Sequence, residues 1–548
     1  MCIIYVGVFS LQNKWKQIKN NSKYIISQRM KSGFFKKSPK SAEIIVPEMP
    51  KTLATYLGPK GYTIPKSELN ESQIKYIKDT LTIRPYTPGI SLASTASFPA
   101  YRESIQKIYV PRFFGSEHFG PPKEVKIHEG DNIDVPFVGS LRDYQQSVVN
   151  AYVKTTETCS GGLATLGCGM GKTVIGLNVI SVMKKKTLII VHKEFLLNQW
   201  VERIQQYLPT ARVGRIQGQT VDIENKDIVI GMLQSLSMKD YPDSVFSSFG
   251  LLLIDEVHHI GSEVFSCSLF KIVTKYTLGL SATMDRKDGT TFVFKMFLGD
   301  IVYKMTDKKQ RFVEVRAIQY QSGDREFAKV EYDFRGNPAF STMISKLSDY
   351  SPRTDFIIRV VKDMFVENPA QQIMVIAHNR SVLTYIHDAI LEQKFATVGY
   401  YVGGMKESAL KATEDKQVVI ATYAMAAEGL DIKSLCTIVM VTPKTDIEQS
   451  VGRILRSDHE MPVVVDIVDS HEPFQKQWIK RKAFFKKENY RIIKANSSNY
   501  HPDTSRWEVV SEPKEAKTKA KKEESDEDEP KPERKCNIDL SLFTPLDV

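Results

Sequence analysis

The sequence predicts an α/β protein with two lobes, each a parallel sheet covered by helices on both faces. Short apolar runs recur with helical stretches between them, and the same rhythm restarts at about residue 350. Runs that are apolar on both faces are typical of parallel strands with helices on either side. A chain of 548 residues, 42% hydrophobic and 25% charged, is long enough to bury several cores. Two lobes and a connector are the economical architecture.

The first lobe is predicted over residues 136–310 and the second over residues 351–500, with a connector at 311–350. The predicted strands of the first lobe are Gly162–Leu166, Thr187–Val191, Ile228–Ile230, Leu251–Ile254 and Leu278–Leu280. Those of the second lobe are Gln372–Ala377, Val418–Ala421, Thr437–Val441 and Val463–Ile467. Between the first two of these, Ser381–Lys394 predicts an amphipathic helix with Leu383, Ile386 and Ile390 on one face.

The two ends of the chain are predicted to lie outside the lobes. Residues 1–50 contain nine Lys or Arg residues against Glu43 and Glu48, so most of the formal net charge of +11 lies there. This basic arm is either a solvated tail, which we favour, or an element that grips phosphates and stacks on bases. A start upstream of the true initiator, Met30 or Met49, and a transit peptide are further alternatives. Residues 51–135 predict a small separate domain without catalytic motifs, and residues 501–548 a charged, disordered tail.

Composition also restricts the expected cellular location of the protein. The apolar stretch Met1–Phe9 is shorter than the roughly 20 residues that span a bilayer, so no membrane partner is predicted. The six cysteines are scattered and form no C-x-x-C pair, which argues against a zinc or iron–sulfur site and against a disulfide framework. We expect a location in the cytosol or nucleus, or in the virion if the source is viral.

The first chemical motif, Leu166-Gly-Cys-Gly-Met-Gly-Lys-Thr173, follows a predicted strand and opens a helix. Its three glycines let backbone N–H groups approach phosphates without a Cβ in the way. Lys172 would place a cation on the β- and γ-phosphates of a nucleotide, and Thr173 would offer a hydroxyl to Mg²⁺. The strict phosphate-loop pattern has glycine where this chain has Leu166.

The second motif is Ile254-Asp-Glu-Val-His258, which follows the apolar run Leu251–Leu253. A buried strand that ends in two carboxylates places them at the carboxyl edge of the sheet, where ligands bind in open α/β folds. Asp255 can hold Mg²⁺ directly or through water, and Glu256 can orient and deprotonate an attacking water. Together, the two motifs indicate hydrolysis of a nucleoside triphosphate.

The third motif, Glu448-Gln-Ser-Val-Gly-Arg-Ile-Leu-Arg456, belongs to the second lobe. Arg453 and Arg456 are three residues apart, so on a helix they share a face. Such arginines can reach across a cleft to phosphate charge. Taken alone, a basic helix face of this kind is usually only solvated.

These motifs, in this order, resemble those of the superfamily 2 helicases. The resembling segments are Leu141-Arg-Asp-Tyr-Gln145 (adenine recognition), Ser281-Ala-Thr283 (coupling of hydrolysis to movement), Ala421-Thr422 with Glu428-Gly-Leu-Asp431 (strand and nucleotide contacts) and Gln449–Arg456 (arginine finger). The resemblance covers about residues 135–500. It implies two tandem RecA-like lobes that bind ATP and Mg²⁺ between them and move along nucleic acid.

Within that superfamily the chain resembles the XPB and UvsW branch, which works on duplex DNA. The histidine in Asp255-Glu-Val-His258 argues against the DEAD-box RNA group, and Val191–Trp200 is similar to this branch. Gly58–Tyr62, Lys107–Arg112 and Val464–Asp469 resemble helicases of large cytoplasmic DNA viruses, including the poxvirus transcript-release type. This similarity implies DNA ahead of RNA as partner, 3′-to-5′ polarity, a role in transcription or DNA repair, and contacts of the tails with transcription machinery.

The resemblance assigns a role to each candidate site residue. The catalytic candidates are Lys172, Asp255, Glu256, Gln449, Arg453 and Arg456. The nucleotide-binding candidates are Arg142, Gln145, Gly167, Cys168, Gly169, Met170, Gly171, Lys172, Thr173, Gly429 and Asp431. Thr173 and Asp255 are the Mg²⁺ candidates, and His258, Ser281 and Thr283 the coupling candidates. The nucleic-acid candidates are Lys193, Gln217, Ser235, His378, Asn379, Gly404 and Thr422.

Other functions are compatible with parts of this pattern. An RNA helicase, or a duplex translocase that separates no strands, would use the same residues. A non-catalytic nucleic-acid clamp would not need Lys172, Asp255, Glu256 and Arg453, and all four are present. The chain could also be the motor subunit of a nuclease whose cleavage centre lies on a partner.

The basic arm leads to a testable prediction. We expect deletion of residues 1–48 to leave strand-dependent ATPase nearly intact, because the arm contains no motif, but to weaken binding and flatten its salt dependence. For every phosphate that the arm neutralises, the deletion should lower the slope of log affinity against log salt by about 0.7–0.9. Fluorescence anisotropy over a salt series measures this slope, and an unchanged slope would show that the arm does not touch nucleic acid.

Overall fold

The computed structural model describes residues 47, 53–86, 96–167, 169–261, 263–284, 286, 288–305, 312–428, 432–455, 457 and 459–514. Four candidate site residues, Cys168, Gly429, Asp431 and Arg456, lie outside these ranges, as do residues 1–46 of the arm and residues 515–548 of the tail. Two eight-stranded, mainly parallel sheets dominate the described chain, which confirms the predicted α/β class. No helix in these ranges is long and apolar enough to cross a membrane.

The N-terminal region has a five-stranded sheet of its own, ordered β5-β6-β2-β1-β7, and a small β3–β4 pair. Its strands are β1 (Tyr56–Gly58), β2 (Gly61–Pro65), β3 (Thr82–Ile83), β4 (Phe98–Pro99), β5 (Arg102–Glu103), β6 (Lys107–Val110) and β7 (Glu124–Val125). Its helices are α1 (Glu71–Thr80) and α2 (Arg112–Phe119). Helix α1 is capped by Asn70, whose side chain accepts a hydrogen bond from the Gln73 N–H at 2.9 Å, and Oε1 of Gln73 accepts one from the Asn70 N–H.

The first lobe contains a sheet ordered β11-β10-β12-β9-β13-β14-β8-β15, in which only β11 is antiparallel to its neighbour. Its strands are β8 (Gly161–Thr165), β9 (Thr187–Val191), β10 (Val213–Gln217), β11 (Thr220–Asp222), β12 (Ile228–Met232), β13 (Leu251–Asp255), β14 (Tyr276–Ser281) and β15 (Ile301–Lys304). Its helices are α3 (Asp143–Thr156), α4 (Lys172–Met183), α5 (Glu194–Tyr207), α6 (Leu233–Met238), α7 (Glu263–Leu269) and α8 (Thr291–Leu298).

The second lobe contains a sheet ordered β18-β19-β17-β20-β21-β16-β22-β23, parallel except for β23. Its strands are β16 (Glu314–Tyr320), β17 (Gln372–Ala377), β18 (Val398–Tyr401), β19 (Val418–Thr422), β20 (Leu435–Met440), β21 (Val463–Asp469), β22 (Arg491–Asn496) and β23 (Glu508–Ser511). Its helices are α9 (Arg325–Ala328), α10 (Phe340–Asp349), α11 (Ser351–Glu367), α12 (Arg380–Gln393), α13 (Glu407–Glu414), α14 (Tyr423–Glu428), α15 (Glu448–Val451) and α16 (Glu472–Lys487).

Each predicted strand is present, with ends shifted by at most about two residues. The predicted boundaries of the second lobe are wrong, because its sheet includes strands from the expected connector and the expected tail. The segment 311–350, expected to be a connector, contains β16, which lies between β21 and β22. The sequence analysis missed this strand because charged residues interrupt its apolar pattern. Glu314 and Arg316 are nevertheless buried, and they are bonded to each other at 2.8 Å. Strand β23, in the segment expected to be a disordered tail, pairs with β22.

The N-terminal region, expected to be a separate domain, shares one apolar core with the first lobe. Tyr62 and Phe114 from this region pack in the same cluster as Leu252 and Phe297 of the lobe. Arg112 strengthens the junction, because its Nη1 donates to the carbonyl of Lys275 at 2.7 Å. Burial of apolar surface from both parts therefore attaches this region to the first lobe.

Two buried ion pairs hold the helices of the second lobe to β21. Arg353 of α11 donates to Asp469 from Nε at 2.6 Å and from Nη2 at 2.8 Å, and both side chains are 0% exposed. Arg481 of α16 makes an equivalent two-bond contact with Asp466, at 2.7 and 3.0 Å. Charges buried this deeply are tolerated only when they are paired and hydrogen-bonded.

We therefore expect Asp469→Asn to destabilise the protein by about 3–5 kcal/mol, because it leaves the buried Arg353 charge without a counter-charge. Urea unfolding followed by circular dichroism measures the change. The matched control is Glu472→Gln, which breaks the exposed pair between Glu472 and Lys476 and should not shift the midpoint measurably. Equal shifts in the two variants would contradict a stabilising role for burial of the Arg353 pair.

Candidate active site

The loop between β8 and α4 is held by the sheet at one end and by α3 at the other. Leu166 is fully buried, and its N–H donates to the Ser281 carbonyl at 3.0 Å. A leucine therefore fits where the strict pattern has glycine, because this position belongs to the core rather than to the phosphate cradle. Gly171 has φ 72°, and a Cβ there would lie 2.4 Å from Nε2 of Gln145. Only glycine fits at that position without displacing Gln145.

Helix α3 contacts the same loop from the adenine-recognition segment. Nε2 of Gln145 donates to the Met170 carbonyl at 3.2 Å, and the Tyr144 hydroxyl donates to the same carbonyl at 3.1 Å. Oε1 of Gln145 accepts from the Arg142 N–H at 3.0 Å, which begins the helix. The structure thus brings Arg142, Gln145 and Met170 together, along with Tyr144, which the sequence analysis did not select.

Lys172 and the two carboxylates after β13 meet at the carboxyl edge of the first sheet. Nζ of Lys172 lies 3.1 Å from Oε1 of Glu256. Glu256 has φ 48°, an unusual conformation for a residue with a side chain. The Asp255 carboxylate accepts from Nε1 of the buried Trp200 at 2.9 Å and from the Glu256 N–H at 3.0 Å. Thr173 follows Lys172 in the first turn of α4.

The two neighbouring carboxyls have opposite pKa shifts. Burial raises the pKa of Asp255, and the adjacent Glu256 charge raises it further. Burial also opposes ionisation of Glu256, but Lys172 and His258 outweigh it and lower the pKa of that carboxyl. The site therefore contains one carboxylate that is already neutralised by a lysine and one that a further cation would stabilise.

The coupling candidates form a continuous contact network beside Glu256. Nδ1 of His258 lies 2.9 Å from Oγ of Ser281 and 3.5 Å from Oε2 of Glu256. Oγ of Ser281 donates to the Thr283 carbonyl at 2.6 Å. Burial lowers the pKa of His258, while the Glu256 charge acts in the opposite direction. The guanidinium of Arg286 donates to the His258 carbonyl and supports this turn.

The nucleic-acid candidates of the first lobe lie together at the same edge of the sheet. Nε2 of Gln217, at the end of β10, donates to Glu194 at 3.3 Å, next to Lys193. Oγ of Ser235 accepts from the Gly218 N–H at 2.9 Å, so α6 is bonded to the turn after Gln217.

The nucleic-acid candidates of the second lobe lie at or just after the carboxyl ends of β17, β18 and β19. Nδ1 of His378 lies 2.9 Å from Oγ1 of Thr442, and its ring is 4.7 Å from that of Tyr423, the residue after Thr422. Burial lowers the pKa of His378 to about 4, with a further contribution from Lys444. Arg380 donates to the Gly403 carbonyl, which places α12 beside Gly404.

Arg453 contacts its own lobe in this structure. It lies on a 3₁₀ turn, Gly452–Leu455, rather than on a continuous α-helix, because α15 ends at Val451. Its side chain is buried, and Nε donates to the Ala426 carbonyl of α14 at 2.8 Å. Gln449 lies half-buried on α15. Arg456, which is expected to share a helix face with Arg453, lies outside the described residues, and the described contact of Arg453 is with α14.

The two lobes touch through α5 and α13. Nδ2 of Asn198 donates to Oε2 of Glu407 at 2.9 Å, and Nζ of Lys411 lies 2.7 Å from Oε1 of Glu202. Both ion-pair partners are exposed, so these contacts are weak and reversible. Helix α5 also contains Trp200, and it therefore connects Asp255 with the second lobe.

Comparison with known proteins gives this site its family. The family model described as "Type III restriction enzyme, res subunit" matches residues 139–286. A protein of Acanthamoeba polyphaga mimivirus, assigned by name to the ATP-dependent RNA helicases, is 35% identical over 448 residues, which cover 79% of this chain and 85% of that protein. The chain belongs to the superfamily 2 helicases.

Two further relatives of this helicase have different named substrates. An African swine fever virus protein, also assigned by name to the ATP-dependent RNA helicases, is 28% identical over 401 residues, 68% of this chain and 78% of that protein. A protein of Sulfurisphaera tokodaii named as an XPB-type DNA 3′-5′ translocase is 31% identical over 236 residues, 42% of this chain and 50% of that protein. Names among the relatives therefore point to RNA in two cases and to DNA in the third.

Three residues at the helicase site were missed by the sequence analysis: Tyr144, Trp200 and Arg286. Trp200 had a detectable signal, since an indole N–H on the apolar face of a helix needs an acceptor when it is buried. Tyr144 lay inside a selected motif and could have been included with Gln145. Arg286 had no local signal, because its contact with the His258 carbonyl joins residues far apart in the sequence.

The Trp200 bond leads to a prediction. We expect Trp200→Phe to lower ATP turnover by roughly 10-fold or more and to raise the Mg²⁺ concentration needed, because a hydrogen bond to a charged group contributes about 1.5–3 kcal/mol. Tyr207→Phe is the matched control, since it also removes one polar group from α5 but stacks on Phe137, away from Asp255. Turnover measured over a Mg²⁺ titration checks this. Wild-type behaviour of Trp200→Phe would show that the indole does not orient Asp255.

Proposed function

We propose that this chain is an ATP-driven motor that moves along nucleic acid and separates its strands, with DNA ahead of RNA as the substrate. One observation supports this function most strongly. The phosphate-loop lysine, Lys172, lies 3.1 Å from Glu256, and Asp255 lies beside it at the end of a buried strand. A lysine, a candidate base and a candidate metal ligand therefore meet where a nucleotide would place its phosphates.

The site fits ATP together with Mg²⁺. Thr173 and Asp255 would hold the metal, and burial together with the Glu256 charge raises the pKa of Asp255, so that a divalent ion would stabilise the carboxylate. Mg²⁺ would supply neutralisation of charge on the phosphate oxygens. The loop from Gly167 to Gly171 would supply backbone N–H donors at the start of α4.

Lys172 connects nucleotide binding with activation of water. Phosphate oxygens of ATP would compete with Glu256 for the ammonium group of Lys172. Loss of that neighbour would raise the pKa of Glu256 from its lowered value and make the carboxylate a stronger base for the attacking water. Glu256 would thus remain a weak base until the phosphates are bound.

The second lobe would complete the nucleotide site through Arg453 and Arg456. Because Arg453 is bonded to α14, we assign it to positioning the segment of Gly429 and Asp431 rather than to direct contact with phosphate. Arg456 would then supply the transition-state charge. Closure of the cleft would replace the exposed contacts between α5 and α13, which cost little to break.

Nucleic acid would bind along the carboxyl edges of both sheets. The candidates there, including Lys193, Gln217, His378 and Thr422, are polar groups suited to phosphates and sugars, so we expect little sequence preference. We further propose a place in viral-type transcription or DNA repair, supported by similarity to the mimivirus and African swine fever virus proteins. Those two relatives are named for RNA, so an RNA substrate is the second candidate.

The test compares substrates and variants in one experiment. Strand displacement and ATP turnover are measured with 3′-tailed, 5′-tailed and blunt duplexes of DNA and of RNA. We expect displacement of a tailed DNA duplex by the wild type, no hydrolysis by Lys172→Ala, and nucleic-acid-bound, stalled protein for Glu256→Gln. Glu157→Gln, an exposed carboxylate at the end of α3, is the control and should match the wild type.

Each outcome bears on one part of the proposal. Hydrolysis at the wild-type rate by Glu256→Gln would remove Glu256 from the role of base. Stimulation and displacement by RNA alone would replace DNA with RNA. Absence of stimulated hydrolysis with every substrate would contradict the motor function as a whole.

A further inference from the structure

Residues 329–340 form a short hairpin after β16 and α9 in the second lobe. Tyr332 bridges Pro338 in an antiparallel pair, the Asp333 N–H donates to the Asn337 carbonyl at 2.8 Å, and the Ala339 N–H donates to the Glu331 carbonyl at 2.8 Å. Two strands of this length have little stability of their own. Their order therefore depends on the turn and on contacts with the rest of the lobe.

The turn of the hairpin is held by Asp333. Its Oδ1 accepts from the N–H groups of Arg335 and Asn337, each at 2.9 Å, and its carbonyl accepts from Gly336 at 3.0 Å. Gly336 has φ 78°, which favours glycine. The tip thus has a defined conformation and presents its side chains in fixed directions.

The tip exposes large aromatic side chains. Phe334 is 91% exposed and Tyr332 58% exposed, and the Arg335 guanidinium lies 5.0 Å from the centre of the Phe334 ring. A phenylalanine this exposed contributes almost nothing to folding, because it buries almost no apolar surface. Its ring is therefore available for an external contact, and a ring beside a cation suits a base with its phosphate.

The base of the hairpin is bonded to α10. Nζ of Lys346 donates to the Lys329 carbonyl at 3.1 Å and to Oε1 of Glu331 at 2.9 Å. The preceding residue, Ser345, accepts at Oγ from Nδ2 of Asn379 at 3.2 Å. The hairpin is therefore bonded to Lys346, the neighbour of a residue that contacts the nucleic-acid candidate Asn379, at the carboxyl edge where β16 and β17 both end.

A second anchor joins the hairpin to the core. Phe327, which precedes it, is buried, and its ring lies 4.2 Å from that of Tyr350. The Phe327 carbonyl lies 2.6 Å from Nε2 of His471, beyond the end of β21. A force on the tip would thus be transmitted to the sheet rather than absorbed by a loose loop.

We propose that Tyr332 and Phe334 form an aromatic wedge that stacks on a nucleobase at the junction of single and double strands and divides the strands as the motor advances. The inference rests on the proposed function, since it needs a moving strand along the carboxyl edge. Apolar wedges of this kind unstack neighbouring bases. The acids of the hairpin do not oppose a polyanion, because Glu331 is paired with Lys346 and Asp333 with backbone N–H groups. Arg335 supplies a cation at the tip.

The experiment separates movement from strand separation. Phe334→Ala should keep ATP turnover stimulated by single strands within about twofold of the wild type, because the tip is outside the nucleotide site. Displacement of a 3′-tailed duplex should fall by roughly 10-fold, the scale expected when one base no longer stacks. Ile105→Ala, which removes a 96% exposed apolar side chain near the N-terminal sheet, is the matched control and should change neither measurement.

A third variant reports stacking directly. Phe334→Trp should restore displacement, and its added fluorescence should be quenched by a 3′-tailed duplex but not by a blunt one. Displacement by Phe334→Ala at the rate of Ile105→Ala would overturn the wedge while leaving the motor function intact. A loss of stimulated ATPase in Phe334→Ala, or unquenched fluorescence in Phe334→Trp, would also overturn it and favour a protein partner or a simple strand contact. Absence of stimulated ATPase in the wild type would instead contradict the proposed function.

Discussion

The ion pair between Lys172 and Glu256 is the contact on which the rest of the active site depends. The two side chains are only 12% and 19% exposed, and a carboxylate at such a site is costly without a cation. Lys172 opens α4 immediately after the left-handed Gly171, so the pair fixes the phosphate loop against the end of β13. The same loop is tied to α3 through Gln145 and to β14 through Leu166. Three elements of the first lobe thus converge on one charge pair.

The parallel strands of both lobes bring candidate functional residues together at one edge of each sheet. Their carboxyl ends meet at one edge of each sheet, and the candidate polar side chains lie at that edge. Helix α5 connects the carboxyl edge of the first sheet with the second lobe. Its Trp200 bonds Asp255, and its Asn198 and Glu202 contact the second lobe. Asp255 at the candidate nucleotide site is therefore linked by a single helix to the contacts between the lobes.

The second lobe separates rigid support from exposed contact surface. Its buried pairs, Arg353 with Asp469 and Arg481 with Asp466, hold α11 and α16 to β21. At the carboxyl edge, in contrast, the hairpin exposes Phe334, and short polar contacts such as that of Asn379 with Ser345 connect it to the sheet. A sheet held by buried ion pairs, with exposed loops at one edge, is suited to transmitting force from those loops without deforming.

The sequence by itself determined the α/β class, the central strands, the glycine-rich loop between β8 and α4 and the paired carboxylates after β13, because each depends on residues close together in the chain. Apolar runs reveal strands such as β13, and Lys172 follows its glycines directly. Only the tertiary structure decided the places of β16, Arg453 and Trp200. Strand β16 is joined to α11 by the pairing of Arg316 with Glu367, Arg453 bonds Ala426, and Trp200 bonds a carboxylate 55 residues away. Partners of this kind are chosen by packing between distant segments, and local patterns of polarity do not encode which distant groups will meet.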